Sequence, residues 1–120
     1  METKQIAERL AELCRAGQFE AAQKELFAND AVSLEPFATP DFEQETKGLD
    51  AIIEKGHKFE SMVKEMNDIT VSEPLVAGNS FTFLMTMDLV MKKDDKRYKM
   101  GELCVYEVKD GKVISERFFM

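Results

Sequence analysis

The residues most able to do chemistry are carboxylates in apolar company. Between Tyr98 and Val108 alternate positions place Met100, Glu102, Cys104 and Tyr106 on one face of a strand, so Glu102 is the odd member of an apolar row. Glu116 shares its parity with Phe118 and Met120 and forms a second such exception. A carboxyl group surrounded by Phe and Met is costly to ionise, so its pKa rises and it can give or take a proton near neutral pH. Two groups of this kind facing one cavity supply an acid and a base. Each has the alternative of facing solvent or of pairing with Lys99, Arg117 or another cation.

Other reactive side chains point to less. His57 is the only histidine, which excludes a classical zinc site and leaves a choice between a rim position and a general base. The acidic run Asp41, Glu43 and Glu45 lacks the pattern of a calcium loop. Cys14 and Cys104 are isolated, with no C-x-x-C spacing, and are expected to be small buried apolar residues rather than a disulfide. No metal or cofactor is expected.

The elements that must position these groups follow from periodicity. Phe81, Phe83, Met85, Met87, Leu89 and Met91 occupy every second position of a strand. After the turn at Lys92 to Arg97, the row containing Glu102 returns. Asp110-Gly111 then predicts a tight hairpin into Lys112 to Phe119. Ahead of this sheet, Ile6, Leu10, Leu13 and Cys14 mark one face of a helix over residues 3 to 16, capped at Gly17. Phe19, Ala22 and Leu26 mark a second helix, running out near Asn29-Asp30. A short strand is expected at Ala31 to Glu35, stopped by Pro36, and an irregular loop at Phe37 to Lys47. A third helix lies within Leu49 to Met66, and a strand reaches on to Val76. The order α-α-β-α-β-β-β-β suits an α+β half-barrel, a curved antiparallel sheet whose concave side is plugged by helices.

At 120 residues with 44% hydrophobic and 32% charged residues, one domain over 1 to 120 is expected. Nine Phe and eight Met can either fill a core or line an adaptable cavity. A formal charge of −7 without a basic stripe excludes a nucleic-acid partner. The N-terminus lacks the apolar core of a signal peptide, and no apolar run is long enough to span a bilayer, so a soluble cytoplasmic protein without membrane partners is expected.

Four segments in order, Ala16-Gly17-Gln18-Phe19, Leu26-Phe27-Ala28-Asn29-Asp30-Ala31-Val32, Lys47-Gly48-Leu49-Asp50-Ala51-Ile52 and Tyr106-Glu107-Val108-Lys109-Asp110-Gly111-Lys112-Val113, give the whole chain a resemblance. It resembles the SnoaL-like branch of the nuclear transport factor 2-like superfamily, which includes ketosteroid isomerase, scytalone dehydratase, polyketide cyclases and limonene epoxide hydrolase. The resemblance implies a cone with a pocket at its wide end and a homodimer through the outer sheet face, here Leu84, Thr86, Asp88 and Val90. Comparison with ketosteroid isomerase places Glu35, just before Pro36, as the proton-shuttling carboxylate and Glu102 as the protonated donor, with Glu116 a third carboxylate near the opening. Leu10 stands where that enzyme has a tyrosine, so steroid isomerisation itself is not expected. Leu10, Phe83, Met85, Met87, Phe118 and Met120 would line the pocket for a hydrophobic small molecule. The functional expectation is cofactor-free isomerase, dehydratase or cyclase chemistry, or else a noncatalytic ligand-binding or interaction domain.

Overall fold

Helix α1 (Thr3–Arg15) turns Ile6, Leu10, Leu13 and Cys14 inward, and all four are buried in the computed structural model, which describes all 120 residues. Its last turn closes as a Schellman motif. Gly17 takes φ +72°, its N–H reaches the Cys14 carbonyl at 3.0 Å, and Gln18 N–H reaches that of Leu13 at 2.9 Å. Helix α2 (Phe19–Leu26) folds back alongside. Arg9 donates to both oxygens of Glu25 at 2.8 and 3.0 Å, an exposed fork that fixes the angle between the helices more than it stabilises them.

The strands β1 (Phe27–Leu34), β2 (Glu45–Lys47), β3 (Val63–Val71), β4 (Leu75–Ala77), β5 (Ser80–Met91), β6 (Arg97–Lys109) and β7 (Lys112–Phe119) make one open sheet ordered β2-β1-β7-β6-β5-β3, with β4 also on β5. Helix α3 (Leu49–Met62) packs against β1. Together they form an α+β cone-like fold with three helices and seven strands. No helix is long and apolar enough to cross a membrane.

Four differences from the sequence reading have local causes. The sheet is mixed, because β1 runs parallel to β7, with Ser33 opposite Glu116; alternation reports faces, not direction. Helix α2 ends at Leu26, since Phe27 turns its ring edge-on to Tyr106 at 6.4 Å and pairs with Val113. The loop after Pro36 contains β2, which pairs with Val32 to Leu34. The strand expected to reach Val76 breaks around Pro74, where Ser72 exchanges hydrogen bonds of 2.9 and 2.8 Å with the Leu84 backbone.

Asp110 and Gly111 both adopt positive φ, 53° and 76°, as a type I′ hairpin requires. On the inner face Phe81 stacks on Tyr106 at 4.9 Å between centroids and Phe83 tilts against it at 5.3 Å. On the outer face the cross-strand row Leu84, Leu103 and Phe119 stays exposed. Asp88 on that face is gripped by Arg97 at 2.7 and 2.5 Å and is buried, so it is already engaged within the chain.

Candidate functional site

The inner rows of β1, β7 and β6 bring three carboxylates to one place. Ala31 and Ser33 alternate along β1 as fully buried residues, and Glu35 follows at the same parity just past the strand. Its N–H is held by the Gln44 carbonyl at 2.7 Å. Parallel pairing sets Ser33 beside Glu116, antiparallel pairing sets Glu116 beside Tyr106, and Glu102 lies opposite Met85. Helix α3 covers this corner through Lys55, three residues after the buried Ile52 and so on the same helix face.

A directed chain of hydrogen bonds joins them. Lys55 Nζ donates to Ser33 Oγ at 2.6 Å, and Ser33 Oγ donates to Glu116 Oε1 at 2.8 Å. An ammonium only donates, so the serine oxygen must accept from Lys55 and turn its proton toward Glu116. Lys55 Nζ also stands 4.0 Å from Glu35 Oε2 and 5.6 Å from the centroid of the Phe118 ring. Glu35 Oε2 is buried and has no hydrogen-bond partner.

Burial dominates the electrostatics. It pushes the Glu102 carboxyl up to about 7, with Glu35 and Glu116 adding repulsion and Lys55 opposing it. Burial likewise pushes Glu116 up to about 6, held back by the Lys55 charge and the Ser33 hydroxyl and raised further by Glu35. One ammonium faces three carboxylates, so the cluster retains protons at neutral pH. Chemically it offers a partner-free carboxylate oxygen, a carboxyl half protonated near pH 7 and a cation, which together can remove, hold and return a proton. Both cysteines are free and buried, and burial pushes the Cys14 thiol up to about 12, which leaves it inert.

The expected residues divide. Glu35, Glu102 and Glu116 come together. Leu10, Phe83 and Met85 are buried in the main core, with Met87 and Phe118 packed half-buried against it. Met120 projects beyond β7 and is 72% exposed; ending the sheet one residue earlier leaves it nothing to pack on. Beside the carboxylates lies a groove of about 600 Å³ between α3 and the segment 39–46, lined by Thr39, Pro40, Asp41, Phe42, Glu43, Thr46, Ala51, Glu54, Lys55 and Lys58. It is mostly polar, and none of the six expected lining residues contributes to it. His57 turns away from the cluster, held by Glu20 of α2 and by Glu54, 3.3 Å from its Nδ1. Arg117 lies over the ring of Phe119, 5.3 Å from its centroid. No three His, Cys, Asp or Glu side chains are arranged to hold a metal ion.

Sequence reasoning missed Lys55 and Ser33. Both carried a signal: Ser33 interrupts the buried parity of β1 as Glu102 does that of β6, and Lys55 falls at the i+3 position between Ile52 and Phe59.

A family model described as a SnoaL-like domain matches residues 1–120. A provisionally assigned SnoaL-like polyketide cyclase from Mesorhizobium loti superimposes with a TM-score of 0.93 at 28% identity, covering 100% of both chains. A nuclear transport factor 2-like protein of unknown function from Burkholderia pseudomallei K96243 gives 0.83 at 15% identity, covering 100% of this chain and 92% of that one. A Catenulispora acidiphila protein with a ketosteroid isomerase-like fold, in complex with trimethylamine, gives 0.70 at 15% identity, covering 96% and 84%. No curated protein sequence matches the chain.

Proposed function

Since this chain belongs to the SnoaL-like domain family, we propose that it binds a small molecule with an apolar body and carries out cofactor-free acid/base chemistry on it, as an isomerase, dehydratase or cyclase. Glu35 is the general base and Glu102 the protonated donor to a carbonyl or hydroxyl oxygen, while Glu116 sets the charge of the cluster. The observation that carries this reading is the buried Glu35 Oε2, which has no hydrogen-bond partner and only the Lys55 ammonium at 4.0 Å, in the same cluster as a carboxyl pushed up to about 7. Burying three acids against one cation is expensive, and such expense is concentrated where proton transfer is needed. The polyketide cyclase assignment of the Mesorhizobium loti protein supports the cyclase branch of the proposal. Leu10, buried in the core, gives no phenol to an oxyanion hole, which disfavours steroid isomerisation.

Carbon-detected NMR titration of the side-chain carboxyls tests it. Glu102 is expected to titrate near 7 and Glu116 near 6. Both near 4.5, the ordinary value, would mean that the acids are solvated, and the catalytic reading would fall.

One observation favours a noncatalytic binding or interaction domain. Leu10, Phe83 and Met85 are packed into the core, while the apolar row Leu84, Leu103 and Phe119 is exposed. On either reading we propose a homodimer through that outer face, where the row would be covered.

A further inference from the structure

β6 begins at Arg97, but β7 ends at Phe119, opposite Leu103. From Arg97 to Glu102, therefore, β6 has β5 on one side and no strand on the other. Even-numbered positions turn their backbone groups toward β5. Val108 N–H reaches the Asn79 carbonyl at 2.8 Å, and at the other end Met91 N–H reaches the Lys96 carbonyl at 3.1 Å, with no shift of register between. Directions alternate along an antiparallel strand, so the N–H and C=O groups of Arg97, Lys99 and Gly101 point the opposite way, in the plane of the sheet, into the space that β7 leaves. All three residues are exposed. The other long edge of the sheet is blunted: β3 breaks its register between Val63 and Glu65 and again between Met66 and Asp68, irregularities that keep a foreign strand off. The open stretch of β6 has none. Gly101 marks it further. A Cβ there would come no nearer than 3.9 Å to Thr86 Oγ1 and 4.0 Å to Leu84 Cδ1, so packing within the chain does not demand glycine, whereas close approach of another backbone favours it.

We infer that this open edge of β6 takes an extended segment of a partner protein as an added antiparallel strand, and that the segment alternates acidic and apolar residues. Backbone hydrogen bonds to Arg97, Lys99 and Gly101 supply the attachment, and the side chains supply the selectivity. Residues directly opposite in an antiparallel pair share a face of the sheet. Those set against Tyr98 and Met100 meet half-buried apolar surface on the inner face. Those set against Arg97, Lys99 and Gly101 lie on the outer face, where Lys99 stands opposite Asp88. Arg97 already grips Asp88 with both ends of its fork, and Lys99 is left without an ion pair. Lys92, Lys93 and Lys96 add charge in the adjoining turn, whose Asp94 and Asp95 are engaged by Tyr98 and Lys64. In a chain of formal charge −7 this corner is the exception that an acidic segment can approach. An edge lysine repels a basic strand and pairs with an acidic one, so the same residue guards the edge and selects its partner. The edge opens sideways, so covering the outer face over Leu84, Leu103 and Phe119 does not fill it.

The test titrates the full chain with the peptide acetyl-Glu-Val-Glu-Val-Glu-amide and follows backbone amides by NMR and hydrogen exchange. At saturation the amides of Lys99 and Gly101 are expected to exchange at least about tenfold more slowly, while that of Met100, already turned to β5, changes little. The basic counterpart, with Lys in place of each Glu, should bind at least about tenfold more weakly, and Lys99→Glu should reverse that preference. In the added strand the Glu nitrogens face β6 and the Val nitrogens face away. N-methylation of the central Glu should therefore abolish binding, and N-methylation of a Val should not. No binding, no slowing at Lys99 and Gly101, equal binding of the basic peptide, a preference untouched by Lys99→Glu, or equal loss from both methylations would overturn the inference. Slowing at Lys99 and Gly101 that rises with protein concentration in the absence of peptide would assign the edge to a second copy of this chain and likewise overturn it.

Discussion

Glu102→Gln is expected to stabilise the protein, and only at higher pH. The ordinary carboxyl value is 4.5 and the folded state raises Glu102 to about 7. Across that window the folded chain binds more protons than the unfolded one, so stability falls as pH rises from about 4.5 to 7. At about 1.4 kcal/mol per pH unit the cost of ionising Glu102 in place is on the order of 3 kcal/mol. Part of it arises from Glu35 and Glu116 and would be redistributed between them on substitution, so a gain of about 2 kcal/mol at pH 8.5 is expected. Glutamine keeps the shape and the neutral polarity of the protonated acid but has no proton to lose. At pH 4 both proteins carry a neutral group there, and their stabilities should agree within about 0.5 kcal/mol. Urea unfolding across pH 4 to 8.5 reads the difference directly. Equal stabilities at pH 8.5, or a Glu102→Gln effect that does not change with pH, would refute the argument that burial of this carboxyl is what raises it.

Ser33→Ala removes the hydroxyl that donates to Glu116 at 2.8 Å. The Glu116 titration should then move above 6, measured by carboxyl NMR, and an unchanged midpoint would show that the hydroxyl does not hold the ionised form. Leu84→Glu places a charge in the exposed row with Leu103 and Phe119 and should shift the proposed dimer toward monomer; an unchanged mass by light scattering would dismiss that interface. Phe83→Ala should cost about 3–5 kcal/mol, because the ring is 1% exposed and packs on Tyr106 and Phe81. A thermal unfolding shift equivalent to less than about 1 kcal/mol would mean that the ring lines a yielding pocket rather than a close-packed core.

What the chain discloses on inspection depends on the range of the interactions involved. Phe81 to Met91, the row around Glu102 and the Asp110-Gly111 hairpin are governed by neighbours in sequence and could be read directly. The carboxylates could be found because an acid in a row of Phe, Met and Cys breaks a visible pattern. β2 has three residues and exists only because the edge of β1 is there to pair with, so no local pattern announces it. The parallel direction of β1 against β7 is decided by segments more than 80 residues apart in the sequence. Lys55 escaped for a related reason. In a helix dotted with Glu–Lys pairs a lysine reads as solvated, and only the serine and glutamates of distant strands give it a polar place indoors.

The parallel pairing of β1 with β7 also bears on how the chain folds. β1 is the first strand in the order of these residues, yet its inner neighbour in the sheet is the seventh. While β3, β5 and β6 can zip together in order along the chain, β1 must wait with that edge bare, joined at most to the three residues of β2. Ser33 and Glu116 meet only when that edge closes, so the acid cluster is assembled late, in a step that joins residues 83 positions apart and is slow for that reason. During that interval a bare β-edge is a template for another unfinished copy.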